Sequence, residues 1–167
     1  MNEKMLLKNH GFTLIELIVV FSAISILSTI GIASFVNYSR SQALQTSATD
    51  LVNTLNLAKS RALSQVKPSQ CTSQDALSGY QVNVLNNSTY NISVICGGTH
   101  TVATITLPTN ITFDLAQTTA NSVFFPIISS GVQGTGAIDM TAYGQSRCIV
   151  VNPGGTIQLL NINCSSR

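Results

Sequence analysis

Charge is scarce in this chain. Only 8% of its 167 residues are Asp, Glu, Lys or Arg, and the net charge is +2. So few cations cannot build a broad basic surface, and phosphate contacts dominate nucleic-acid affinity, so no nucleic-acid partner is expected. Histidine is scarcer still, and His100 is the only one beyond the first eleven residues. None of the four cysteines forms a Cys-x-x-Cys pair, so no zinc site is expected. Asp114 and Asp139 are too isolated to argue for calcium. The glycine-rich stretch Gly131-Val132-Gln133-Gly134-Thr135-Gly136 lacks the lysine and following helix of a phosphate loop, and reads as a turn or loop. Serines are plentiful, but no spacing ties them to His100 and an aspartate as a triad. No enzyme activity and no cofactor is expected.

What the chain does have is one long apolar run, Phe12 to Val36, with Glu16 as its only ionisable side chain. Its length of about 25 residues suffices for a helix to cross a bilayer with some tilt. A charged side chain at the centre of such a helix costs about 2.5–3.5 kcal/mol, less near an end, so Glu16 calls for a partner. If the chain is cut after Gly11, a new ammonium appears on Phe12, one turn from Glu16. Both groups sit at the same helix end, so they pair poorly within one chain. Between two chains offset along a bundle they can meet. Lys4 and Lys8 keep the leader in the cytoplasm, which directs everything after the run outward. This is not an ordinary secretory signal, whose apolar core is shorter and precedes its cleavage site. Disulfides suit that outward compartment. Four cysteines allow three pairings. Cys71–Cys96 and Cys148–Cys164 are favoured because each joins neighbours in sequence, and the other two remain open.

After the run, Leu44, Ala48, Leu51, Leu55, Ala58 and Ala62 recur at alternating spacings of four and three, one face of an amphipathic helix. Asn37 and Ser39 interrupt only weakly, so the apolar helix continues into this one, and Pro68 is expected to stop it. From Gly79 onward the pattern turns to short β-prone runs: Tyr80–Leu85, Thr89–Cys96, Val102–Leu107, Ile111–Leu115, Ser122–Ile128, Gly136–Met140, Cys148–Val151 and Thr156–Ile162. Turn signals at Asn86-Asn87, Gly97-Gly98 and Asn152-Pro153-Gly154-Gly155 separate some of them. The expected fold is α+β, with one or two antiparallel sheets wrapped on the helix stripe. The expected divisions are 1–11 leader, 12–36 membrane or filament-core helix, 37–66 amphipathic half of the same helix, and 67–167 β-rich domain.

Gly11-Phe12-Thr13-Leu14-Ile15-Glu16 resembles the prepilin cleavage and methylation motif of type IV pilins and type II secretion pseudopilins. The resemblance implies cleavage between Gly11 and Phe12 by prepilin peptidase and N-methylation of Phe12. It implies docking of Glu16 against a neighbouring subunit's N-terminus. The family often has glycine where Ser25 stands and proline where Ala33 stands; both are missing here. Leu55-Asn56-Leu57-Ala58-Lys59-Ser60-Arg61-Ala62 is similar to a helical stretch of the GspH/FimT-like minor pilins and pseudopilins, with Lys59 where arginine is usual. Phe124-Phe125-Pro126 with Ser130-Gly131, and Cys148 to Ile157, resemble later strands and the closing hairpin of that family. The implied role is a minor subunit, initiating or capping the filament, with a major shaft pilin as alternative. The implied partners are other pilin or pseudopilin subunits, the peptidase, the inner-membrane assembly platform and, before assembly, membrane lipid. The implied location is the bacterial inner membrane, then a periplasmic pseudopilus or surface pilus. Some FimT-like members bind DNA through arginines after the closing glycine; here that place reads Gly155-Thr156-Ile157-Gln158, and the arginines are missing.

Overall fold

The structure is a computed structural model that describes residues 11–72, 74–128 and 131–166, apart from the side chains of residues 29–31 and 33. A single helix, α1, covers Leu14–Leu63. The chain divides into two units, the first ending at Ser39 and the second running from Arg40 to Arg167.

In the first unit every described side chain from Phe12 to Ser39 is exposed, including Leu14, Ile18, Phe21, Leu27, Ile32 and Phe35. Two serines within this run, Ser22 and Ser28, are internally satisfied. Ser22 donates to the Val19 carbonyl and Ser28 to the Ile24 carbonyl, each at 2.8 Å. Back-bonding of this kind removes these two hydroxyl donors from competition.

In the second unit the apolar stripe of α1 becomes the centre of the core. Leu44, Ala48, Leu51, Leu55, Ala58 and Ala62 are each at most 1% exposed. Burial of each leucine contributes about 2 kcal/mol. The helix does not run on to Pro68. It ends in a Schellman motif: the Val66 amide donates to the Arg61 carbonyl at 3.0 Å and the Gln65 amide to the Ala62 carbonyl at 3.1 Å. Gln65 takes the left-handed turn at φ 50°, a place where glycine is usual.

All eight expected strands form, as β1 (Leu77–Asn86), β2 (Thr89–Cys96), β3 (Thr99–Thr106), β4 (Thr112–Phe113), β5 (Ser122–Pro126), β6 (Gly136–Ala142), β7 (Gln145–Val151) and β8 (Ile157–Leu160). They make two antiparallel sheets, in orders β3-β2-β1-β5 and β4-β6-β7-β8. Tyr80, Val82, Tyr90, Ile92, Val94, Val123 and Phe125 of the first sheet share one core with Phe113, Ile138, Met140, Ile149 and Val151 of the second. Tyr90 meets Phe113 edge-to-face, centroids 6.0 Å apart, which joins the sheets. The glycine-rich stretch is part of this framework. Gln133 bridges to Phe124, and Gly134 adopts φ 74° where a Cβ would strike the Ser122 carbonyl.

The cysteines are joined as Cys71–Cys96 and Cys148–Cys164. The second bridge fastens a C-terminal 3-10 turn, Cys164–Ser166, to β7. Beneath that turn lies Asp139, fully buried. Its Oδ2 accepts the Cys164 amide at 2.9 Å, while Oδ1 has no partner. Burial pushes this carboxyl above its ordinary value; the Cys164 amide partly offsets that, and Asp114 adds to the rise. The two aspartates that look isolated in sequence are thus neighbours: the Asp114 amide donates to the Asp139 carbonyl at 2.9 Å, and Thr118 bonds both backbones.

Candidate functional site

The residues with the sharpest sequence signal lie at the start of α1. Gly11, Phe12 and Thr13 precede the helix, and Glu16 sits in its first turn. Thr13 is the N-cap: its Oγ1 accepts the Glu16 amide at 3.3 Å, and its carbonyl accepts the Leu17 amide at 3.2 Å. Thr13-Leu14-Ile15-Glu16 therefore has the Thr-x-x-Glu spacing of a capping box. Reading the run only for hydropathy misses Thr13, although that spacing is visible in the sequence. The cap satisfies a first-turn amide and sets the carboxylate of Glu16 where the positive end of the helix dipole favours it.

Gly11 has a different character. A Cβ there would meet nothing within 4 Å among the described residues. Packing among the described residues does not require glycine at this position. Phe12 and Glu16 are exposed, so each is available to another molecule. The rest of the leader, residues 1–10, lies outside the described residues.

The other sequence-marked residues belong to the domain. Lys59 and the closing hairpin, far apart in sequence, come together: Lys59 Nζ donates to the Gly155 carbonyl at 2.8 Å. They edge a cleft of about 240 Å³ lined also by Leu63, Phe125, Pro126, Val132 and Gly154. Arg147 is committed to the fold: its Nε donates to Gln45 Oε1 at 2.8 Å, Nη1 to the Ser146 carbonyl and Nη2 to Ser41 Oγ. Arg40 lies over the Tyr143 ring, 5.0 Å from its centroid. All four cysteines are spent as disulfides, which removes thiolate ligands for a metal.

Residues 6–32 match the prokaryotic N-terminal methylation motif. The match supports a type IV pilin-like precursor, and an N-terminal helix on an antiparallel β domain is consistent with the pilin fold. Such a precursor is a structural protein that assembles with other pilin subunits, is processed by prepilin peptidase, and is first membrane-anchored and then pilus-associated. No curated protein and no solved structure matches the chain. Among the described residues no helix is long and apolar enough to cross a membrane; residues 29–31 and 33, whose side chains are outside the description, fall within the expected span 12–36.

Proposed function

We propose that this chain is a filament subunit of a type IV pilus or type II secretion pseudopilus, made as a single-pass membrane precursor. One observation carries the reading: the methylation motif at residues 6–32 leads into a helix whose described apolar side chains are all exposed up to Ser39. Exposed apolar surface of that extent is stable only against lipid or other chains. In this account, residues 12–36 sit in the inner membrane. Prepilin peptidase cuts between Gly11 and Phe12, at a glycine with open space around it among the described residues. Methylation of the Phe12 amine keeps its positive charge. On assembly the helix exchanges lipid for neighbouring helices, and Glu16 meets the Phe12 ammonium of an adjacent subunit. That pairing settles a carboxylate that would otherwise be costly in an apolar bundle, and so selects the register.

Within this reading the subunit is a minor one of the GspH/FimT type, supported by the contact of Lys59 with the closing hairpin, which unites two of the stretches that carry that resemblance. Arg147 and Arg40 are held by intramolecular partners and lend no support to a DNA-binding role.

Quantitative mass spectrometry of filaments sheared from cells tests the proposal. The expected result is a methylated Phe12 N-terminus at a few copies per filament. Near-stoichiometric abundance would make the chain the shaft pilin, and retention of residues before Phe12 would remove the filament reading. Glu16→Val is expected to leave cleavage intact and to reduce incorporation; unchanged incorporation refutes the docking role.

A further inference from the structure

The first sheet ends in an unusual edge. β3 is the outermost strand of the order β3-β2-β1-β5, and among the described residues no strand pairs with its other side. It is eight residues long and contains no Lys, Arg, Asp, Glu or Pro. Sheet edges normally carry such residues because a bare row of amides and carbonyls is a template for another chain. The absence of charge extends inward: β1, β2 and β5 have no charged residue either.

The sequence of the edge is symmetric under reversal. Thr99-His100-Thr101-Val102-Ala103-Thr104-Ile105-Thr106 places threonine at the same positions read from either end. The register with β2 fixes the faces. Ala103 pairs with Ile92 and His100 with Val94, partners that are themselves buried in the core, whereas Thr101 pairs with Ser93 and Thr104 with Asn91. A bulge at Val102 separates these two sets. It restores the alternation, so all four threonines are exposed and share the outer face. The bulge is the one edge-blunting feature present, and it falls at the centre of the symmetric pattern.

We propose that β3 is a self-association surface, pairing antiparallel with β3 of a second copy about a two-fold axis between Val102 and Ala103. In that register Thr99 faces Thr106 of the second copy and Thr101 faces Thr104. Cross-strand threonine pairs are favourable neighbours on a sheet face. His100 then faces Ile105 and Val102 faces Ala103 on the other side, with no like charges opposed. The two four-stranded sheets become one continuous sheet, and each edge protects the other. A two-fold contact closes on itself. It is therefore distinct from the head-to-tail packing of residues 12–36 and does not depend on it.

The test uses the full chain in detergent, with mass measured by size-exclusion chromatography and light scattering over a range of concentrations. The wild type is expected to dimerise. Thr101→Lys/Thr104→Lys and Thr101→Glu/Thr104→Glu each oppose like charges twice in this register and are expected to lose the dimer, which returns in their equimolar mixture. Thr101→Lys/Thr104→Glu opposes unlike charges and is expected to dimerise at lower concentration than wild type. These are exposed positions, so the variants keep the fold, and unchanged circular dichroism checks that. A monomeric wild type throughout, like-charge variants that still dimerise, or a mixture that stays monomeric overturns the proposal. Dimerisation through the apolar helix alone would appear as the second of these results.

Discussion

Replacing Asp139 by asparagine should stabilise this protein at neutral pH, against the usual direction of core substitutions. The structure supplies the terms. Asp139 is fully buried, accepts one bond from the Cys164 amide, and leaves Oδ1 unpaired. An unpaired buried polar atom costs about 1–3 kcal/mol, and more when charged. Asparagine keeps an oxygen for the Cys164 amide and removes the charge, while placing an unpaired NH2 where Oδ1 was. The balance is a gain of about 1 kcal/mol, or a Tm increase of roughly 2–4 °C for a chain of this size. The pH dependence gives an independent check. Burial raises the folded-state pKa above the ordinary aspartate value, so the folded form binds the proton more tightly than the unfolded form. Stability from this group is fully present below the unfolded value and is lost as pH rises through the raised folded value. The advantage of Asp139→Asn should therefore be largest at neutral pH and shrink as pH falls toward the ordinary aspartate pKa. Thermal melts of wild type and variant across that range, followed by circular dichroism, measure it. A variant less stable at neutral pH, or an unchanged difference at all pH values, refutes the reasoning.

Gln65→Gly should relieve left-handed strain of about 1–2 kcal/mol at the end of α1, less the extra entropy of glycine in the unfolded chain. A net gain of about 0.5–1 kcal/mol in denaturant titrations is expected, and a loss would show that Gln65 makes a compensating contact. Cys148→Ser/Cys164→Ser opens a bridge of sequence separation 16, for which loss of about 3 kcal/mol is expected. Hydrogen exchange should show the C-terminal turn and the end of β7 exchanging first, and uniform protection would refute the stapling role.

The legible parts of this chain are those governed by periodicity. The stripe from Leu44 to Ala62 is buried as its spacing implies, because a helix with one apolar face has one way to hide it. The strands appear because β-branched runs between turn residues have few alternatives. Other details were not legible. Pro68 looks like the helix stop, yet the chain turns out of the helix at Gln65, where amide bonds to Arg61 and Ala62 outweigh the cost of a non-glycine left-handed residue. The β6–β7 hairpin turns at Tyr143-Gly144 with φ 53° and 74°. Tyrosine is a poor signal for a mirror-image turn, and the Arg40 contact on its ring is visible only in three dimensions. At the helix start, Thr13 was readable from its spacing to Glu16, whereas the open space around Gly11 was not.

By itself, then, the sequence determined what local chemistry controls: the processing motif, the apolar face of α1, and the existence of the strands. These depend on neighbours three, four or two residues away, and the chain carries them wherever it goes. Only the tertiary structure decided which distant groups share a dielectric. It placed Asp139 under the Cys148–Cys164 turn beside Asp114, brought Lys59 to Gly155, and left β3 at an edge with no charge to guard it. Long-range electrostatics and sheet order are properties of closed packing, and no local pattern encodes them.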